Sequence, residues 1–304
     1  MNTPRQANKK SVRYDEPQKN EHATTGKTNS TLKTNSTLKT NSTNLKKMHA
    51  KKSFGQHFLK HGSIAERIAD SLLQAADTKR VLEIGPGMGM LTKQLLAKSD
   101  QYDLWAVEAD PDMTAYIQGH YPVLKDRLIS LDFLDLDLKT VFGDEQFCLI
   151  GNFPYNISTQ ILFKLLDYRA QIPEMSGMFQ KEVADRVVAP PGSKVYGITS
   201  VLLQAFYKTE YLFTVEPGSF NPPPKVRSAV IRLTRKEGFE LGCDEQMFRK
   251  VVKAAFNQRR KMLRNTMKPF FQNYDLLNDP FFEKRPEVLG WEDYVGLVHK
   301  MAQH

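Results

Sequence analysis

The chain has 304 residues, enough for one substantial domain and a small second one, and its 40% hydrophobic content is that of an ordinary soluble protein. No stretch approaches the roughly 20 apolar residues of a membrane helix, and the N-terminus lacks an apolar signal core, so the reading is of a cytoplasmic protein with no membrane partner. The net charge of +9 is uneven: residues 1–52 carry +9, residues 53–150 carry −6 and residues 151–304 carry +6, so a polyanion is expected to meet the tail and the second half.

In chain order, residues 1–50 are of low complexity. Lys27-Thr28-Asn29-Ser30-Thr31-Leu32 recurs at 33–38 and, with Asn44 in last place, at 39–44. Three copies supply two leucines, too little apolar surface to offset the entropy of ordering, so a disordered basic tail is expected, either an RNA-gripping arm or an inert extension. Ile64, Ala65, Ile68, Ala69, Leu72 and Leu73 follow helical spacing. A buried-type strand from Val81 to Ile84 runs into glycines, and a helix begins near Leu91. A second strand, Leu104 to Val107, ends at Glu108. A third ends near Leu131-Asp132 and a fourth at Ile150. Cys148, in the fourth, reads as a buried thiol. It fits no metal or redox spacing with Cys243, so no metal is expected. Strands alternating with helices predict a parallel sheet covered on both faces, an α/β fold. Tyr211 to Val215 and Ala229 to Leu233 read as a late pair of strands. Helical patterning returns at 244–267 and 292–301. The predicted organisation is a catalytic domain at 51–235 and a small helical domain at 236–304.

Glu83-Ile84-Gly85-Pro86-Gly87-Met88-Gly89 lies where the first strand meets the first helix. Glycines there allow a sharp turn and close approach of a ligand. Met90 stands where a dinucleotide fingerprint needs its third glycine. Glycines at alternate positions after an acidic residue are instead the pattern of an S-adenosylmethionine site. Glu108, 23 residues after Gly85, is placed to accept both ribose hydroxyls of that cofactor. Asp132 is a candidate acceptor for its adenine amine, with Asp135 and Asp137 as rivals that spacing does not separate.

Asn152-Phe153-Pro154-Tyr155 follows the fourth strand. The amino group of adenine is a poor nucleophile because its lone pair is delocalised into the ring. Holding both amino hydrogens on fixed acceptors favours a pyramidal nitrogen whose lone pair faces the methyl donor. The Asn152 side-chain oxygen and the Phe153 or Pro154 carbonyl are such acceptors. Tyr155 can stack on a base taken out of its helix. Ser158 is expected to cap the helix that follows.

From Arg249 to Lys268 there are eight basic residues and no acidic one: Arg249, Lys250, Lys253, Arg259, Arg260, Lys261, Arg264 and Lys268. One sign of charge over such a length favours phosphate contact. The loop Phe220-Asn221-Pro222-Pro223-Pro224-Lys225 offers an aromatic ring and a lysine. Phe220 is either the second wall of the base pocket or a hydrophobic anchor.

These segments together resemble the ribosomal RNA small-subunit adenine dimethyltransferase family, of the KsgA type. The matching pieces are Phe54-Gly55-Gln56-His57-Phe58-Leu59, VLEIGPGMGMLT from Val81 and NFPYNIST from Asn152. Farther on come FQKEVADRVVAPPGSKVYG from Phe179, FNPPPKVRSAV from Phe220 and AFNQRRKMLRN from Ala255. The resemblance covers about 50–304. It implies a Rossmann-like seven-stranded S-adenosylmethionine methyltransferase sheet with a small C-terminal helical domain. It also implies transfer of two methyls to each of two adjacent adenosines near the 3′ end of small-subunit (16S) ribosomal RNA. The partner would be that RNA within an immature 30S particle, and the enzyme a monomer. Carried over by position, His57 and Leu59 would flank the methionine end of the cofactor, with Gly85 and Gly87 at its turn. Glu108 would hold the ribose, Asp132 the adenine, and Asn152 would stand between cofactor and base. Pro154 and Tyr155 would complete the catalytic motif, and Phe220, Lys225, Arg249, Arg259, Arg260, Lys261 and Arg264 would meet RNA. His57 stands where the family often has Asn, and Phe153 where it has an aliphatic residue, which puts a reshaped pocket wall in view. The rival readings are a large-subunit ribosomal RNA adenine methyltransferase conferring antibiotic resistance and a non-catalytic ribosome-assembly factor.

Overall fold

The computed structural model describes residue 51, residues 54–238 and residues 240–302. The basic tail expected at 1–50 lies outside the described residues. Among the described residues nine strands occur in chain order: β1 (Phe58–Leu59), β2 (Arg80–Ile84), β3 (Asp103–Glu108), β4 (Leu128–Ser130), β5 (Cys148–Asn152), β6 (Glu174–Gln180), β7 (Tyr207–Val215), β8 (Phe220–Asn221) and β9 (Ser228–Arg235). Seven of them form one sheet in the order β4-β3-β2-β5-β6-β9-β7, and β1 and β8 pair separately. Strands β2 to β6 run parallel, and β9 is antiparallel to both β6 and β7. From β2 the chain builds outward to β3 and β4, then crosses back to β5. The crevice beyond the carboxyl ends of β2 and β5 is therefore the switch point at which open α/β sheets take ligands.

Alternate side chains of each central strand enter opposite faces. Val81, Cys148 and Ile150 pack with Ile68, Leu91 and Leu95, the last three from the helices Gly62–Ala69 and Met90–Leu96. Leu82, Ile84 and Leu149 pack on the other face with Ile161, Leu162 and Leu165 of the helix Ser158–Asp167. The helices Glu245–Asn257 and Trp291–Ala302 extend that second cluster through Phe248, Val251, Val252, Tyr294 and Leu297. Among the described residues no helix is long and apolar enough to cross a membrane.

Three local expectations are corrected. The first helix ends at Ala69 rather than Leu73, and Leu73 is 64% exposed. The chain breaks there because the buried Glu174 carboxylate accepts the N–H groups of Leu73 (2.9 Å) and Gln74 (2.8 Å). Ser158 is the first helical residue, not the cap, and its hydroxyl donates back to the carbonyls of Pro154 and Tyr155. Asn152 belongs to β5, in register with Met178, so it is held by a strand rather than by a turn.

Candidate active site

The crevice starts with the turn after β2. Gly85, Gly87 and Gly89 have φ of 67°, 55° and 77°, a region costly for any side chain. A Cβ on Gly85 would meet the ring of Pro154, two residues past the end of β5, at 3.8 Å, an ordinary contact, so the positive φ and not crowding is what calls for glycine here. At Gly89 the space is filled: a Cβ would lie 2.3 Å from the ring of Tyr121, whose hydroxyl donates to the Gly89 carbonyl at 3.0 Å.

Glu108 closes β3 and is 6% exposed. One carboxylate oxygen accepts the Gly87 N–H at 3.1 Å and the other the Asp110 N–H at 2.9 Å. Burial pushes this carboxyl up, and the main-chain N–H groups of Asp110, Gly87 and Ala109 work against that rise. A carboxylate has about four lone-pair sites, so these bonds leave it able to accept a further donor. Asp110 is fully buried behind it and accepts from Lys51 Nζ (2.6 Å), Gln56 Nε2 (2.9 Å) and the Asp112 N–H (3.0 Å). Burial alone would raise Asp110, but the Lys51 ammonium, the Gln56 amide and the Asp112 N–H outweigh it and hold the carboxyl below its usual range. Glu83, beneath the turn, accepts from the Thr92 hydroxyl at 2.7 Å and is pushed up to about 8 by its burial.

Asn152 donates its side-chain N–H to the His57 carbonyl at 3.0 Å, which fixes the amide and leaves its oxygen as the acceptor. His57 in turn bonds through Nδ1 to the Pro222 carbonyl at 2.8 Å, so that nitrogen carries the proton. Its ring lies 5.3 Å from that of Tyr155, tilted by 30°. The Tyr155 hydroxyl pairs with Ser228, and burial pushes the phenol up, so it stays neutral. The Pro154 carbonyl accepts from the Ile157 N–H and from Ser158 Oγ. Asp132 follows β4 and accepts the Leu134 N–H at 2.9 Å. Asp137 is occupied elsewhere: it caps the helix Leu138–Phe142 and accepts the Tyr168 hydroxyl. Since β4, β3, β2 and β5 are neighbours in that order, Asp132, Glu108, Gly85 and Asn152 stand side by side along one edge.

Other expected groups lie elsewhere. Leu59 and Phe220 face each other across the β1–β8 ladder and are 7% and 1% exposed, both within the apolar core. Phe220 is thus the loop's anchor and offers no face to a base in this conformation. Phe153 is 1% exposed and packs on Phe179 with ring centroids 4.6 Å apart, so it belongs to the core and not to a pocket wall. In the basic stretch, Arg249 pairs with Asp167 and Glu245, Arg259 with Glu287 and Arg264 with Glu283. Lys225, Lys250, Lys253, Arg260, Lys261 and Lys268 are exposed and have no ion pair among the described residues. Lys51, Gln56 and Asp110 are functional residues that the sequence does not point to, although Gln56 lies within the Phe54–Leu59 segment.

Comparison with known proteins agrees with this geometry. The model of the family described as ribosomal RNA adenine dimethylase matches residues 47–279. A protein of Parabacteroides distasonis named ribosomal RNA small subunit methyltransferase A is 55% identical over 258 residues, which is 84% of this chain and 94% of that one. Its namesake in Flavobacterium johnsoniae is 54% identical over 84% of this chain and 97% of its own. Among solved structures, a dimethyladenosine transferase from Plasmodium falciparum is similar with a TM-score of 0.68 and 25% identity, covering 81% of this chain and 98% of that one. The 23S rRNA methyltransferase ErmE shares the fold at a TM-score of 0.59 and 22% identity, covering 80% of this chain and 99% of its own. With its family model spanning most of the chain and the site residues aligned on one sheet edge, this chain belongs to the ribosomal RNA adenine dimethylase family.

Proposed function

We propose that this protein dimethylates the 6-amino groups of two adjacent adenosines near the 3′ end of 16S ribosomal RNA, with S-adenosylmethionine as donor. The substrate is the RNA of an immature 30S particle, and the enzyme works as a monomer in the cytoplasm. Identity of about half to relatives named for the small subunit supports that target over the large-subunit one.

The crevice fits the donor. The positive φ of Gly85 turns the main chain sharply beside Pro154, where a ligand would lie against the backbone. Glu108, a buried acceptor at the end of β3 with lone-pair capacity in reserve, suits a sugar hydroxyl. Gly85 and Gly87 would border the cofactor, Glu108 would take its ribose and Asp132 its adenine amine, with His57 toward the methionine end. When bound, S-adenosylmethionine supplies an electrophilic methyl group on a sulfonium.

One observation carries the mechanism: the Asn152 amide is locked by the His57 carbonyl with its oxygen left to accept. That oxygen takes one hydrogen of the target amine. The second acceptor is the Phe153 carbonyl, because the Pro154 carbonyl is already spent on the Ile157 N–H and Ser158 hydroxyl. The two acceptors draw the nitrogen out of conjugation and orient its lone pair. No strong base is required, since a methylated ammonium sheds its proton readily. Tyr155, fixed by Ser228, stacks on the base. Lys225 and the exposed Arg260 and Lys261 meet phosphate. The helical domain at 236–304 serves as the RNA-binding part, and the basic tail adds salt-sensitive affinity.

The test is to offer immature small subunits and labelled S-adenosylmethionine. Label is expected in the 3′-terminal stem-loop of 16S RNA. Label in large-subunit RNA would transfer the assignment to the resistance relatives, and no label would leave an assembly factor.

A further inference from the structure

We infer that Lys164 is a positioning residue for the adenine end of the methyl donor, acting through the loop that carries Asp132. The inference rests on the reading of Asp132 given above. Lys164 lies in the helix Ser158–Asp167, which begins directly after the Asn152–Tyr155 motif. Its ammonium donates to the carbonyls of Phe133 (2.6 Å), Leu134 (3.0 Å) and Leu136. An ammonium has three donors, and here all three end on one loop of main chain. The Phe133 ring, 4.9 Å from the same nitrogen, adds a cation–π contact and is itself anchored in the core.

The loop is gripped from its other side by Asp132. Leu134 gives its N–H to the Asp132 carboxylate at 2.9 Å and its carbonyl to Lys164 at 3.0 Å. One residue therefore links the two charges. The orientation of the Asp132 carboxylate depends on where the Leu134 N–H stands, and Lys164 fixes that. Burial draws Lys164 below the usual lysine range, against the pull of Asp135, Asp132 and Asp137. A lysine serving only solubility would not keep its ammonium on three carbonyls at such a cost in hydration. The helix thus has two functions: its first turn follows the base site, and Lys164, two turns on, braces the cofactor's adenine site. Nothing in the chemistry of methyl transfer requires a lysine here. Its reason is geometric, because the loop 131–137 has no regular structure before the helix at Leu138 to hold it.

Lys164→Met keeps the aliphatic stem and removes all three donors. Calorimetric titration with S-adenosylhomocysteine should show affinity falling about tenfold, the size of one charge-assisted contact. A general loss of order would weaken every ligand equally. The discriminating readout is therefore the preference for S-adenosylhomocysteine over its hypoxanthine counterpart, which lacks the amine that Asp132 would accept. That preference should narrow in Lys164→Met and in Asp132→Asn alike, and the double variant should narrow it no further. Should Lys164→Met not fold, the same ratio is read on Lys164→Gln, which retains a shorter donor. A narrowed ratio in Asp132→Asn with an unchanged one at position 164 overturns the role of Lys164 and spares that of Asp132. No change in either variant overturns the reading of Asp132 and the inference with it. Narrowing at position 164 alone overturns the route through Asp132.

Discussion

The ring of Phe153 occupies the volume that a side chain at Gly177 would need: a Cβ there would lie 2.5 Å from the ring and 2.3 Å from the Gly151 carbonyl oxygen. Gly151 and Gly177 face each other in register on β5 and β6, and a Cβ on Gly151 would also come within 2.9 Å of the same ring. Two missing side chains on adjacent strands thus make the hole that the phenyl group fills. The bulk that stands out in the motif is turned into the core, while Asn152 beside it remains at the site.

Phe153→Leu, which puts a smaller aliphatic side chain in the ring's place, is expected to cost about 1–2 kcal/mol of stability through the cavity it opens. Turnover should stay within about threefold, because Asn152 is held by the His57 carbonyl and not by the ring. Gly177→Ala should cost more, about 2–3 kcal/mol, since main chain and ring would both have to move. Denaturant unfolding paired with steady-state kinetics checks both. A large loss of turnover in a stable Phe153→Leu protein would return the ring to the pocket wall.

Asn152→Ala removes the acceptor and should lower turnover by about 10²–10³-fold, the size seen when one preorganised hydrogen-bonding group is lost. Cofactor affinity, measured by calorimetry, should stay within a few fold, because Glu108 and the glycine turn do not touch this side chain among the described contacts. Asn152→Asp should fare no better although it keeps an oxygen, because a carboxylate has no N–H to offer the His57 carbonyl. Near-normal turnover in either variant would remove Asn152 from the chemistry.

What the sequence showed and hid follows from where each residue finds its partner. β2, β3 and β5 were legible as apolar runs because the partners of such strands are simply other apolar residues. β6 was not, since Glu174, Ser176 and Gly177 interrupt its pattern while all three are buried. Their burial is justified by the N–H groups of Leu73 and Gln74, by Ser71 and by Gly151, which are distant in the chain. Gly85, Glu108 and Asn152 were readable because strand ends place them together. Lys51 and Gln56 were not, because their meaning lies in a bond to the buried Asp110. The basic stretch read as one surface, yet Asp167, Glu283 and Glu287 arrive from elsewhere to neutralise part of it.

The buried Glu83 makes stability fall with rising pH. Its folded pKa of about 8 lies above its ordinary value of 4.5, so between those limits the native state binds more protons than the unfolded one. The stabilisation is complete below about pH 4.5 and is lost as pH climbs toward 8, with a slope of up to about 1.4 kcal/mol per unit from this group. Glu108, also pushed up by burial, adds in the same direction. Thermal melts of the cofactor-free protein from pH 5 to 9 should therefore decline, and Glu83→Gln should flatten the decline. Parallel curves for the two proteins would show that Glu83 is not its source.

The basic residues divide by what they already touch, and salt can separate them. Arg260 and Lys261 are exposed without an ion pair among the described residues, whereas Arg249 is committed to Asp167 at 3.0 Å and Glu245 at 2.9 Å. A cation that meets a phosphate releases a condensed counterion, and each such contact in single-stranded RNA adds about 0.7 to the slope of log affinity against log salt. Arg260→Ala with Lys261→Ala should therefore reduce the slope by about 1.4 and leave the melting temperature unchanged. Arg249→Ala should do the reverse, lowering stability by about 1 kcal/mol through two lost partners while the salt slope holds. Binding titrations of a 16S 3′-terminal fragment over a range of salt, beside thermal melts, check both. A reduced slope in Arg249→Ala would mean that its ion pairs open on RNA, and that the whole stretch acts as one surface after all.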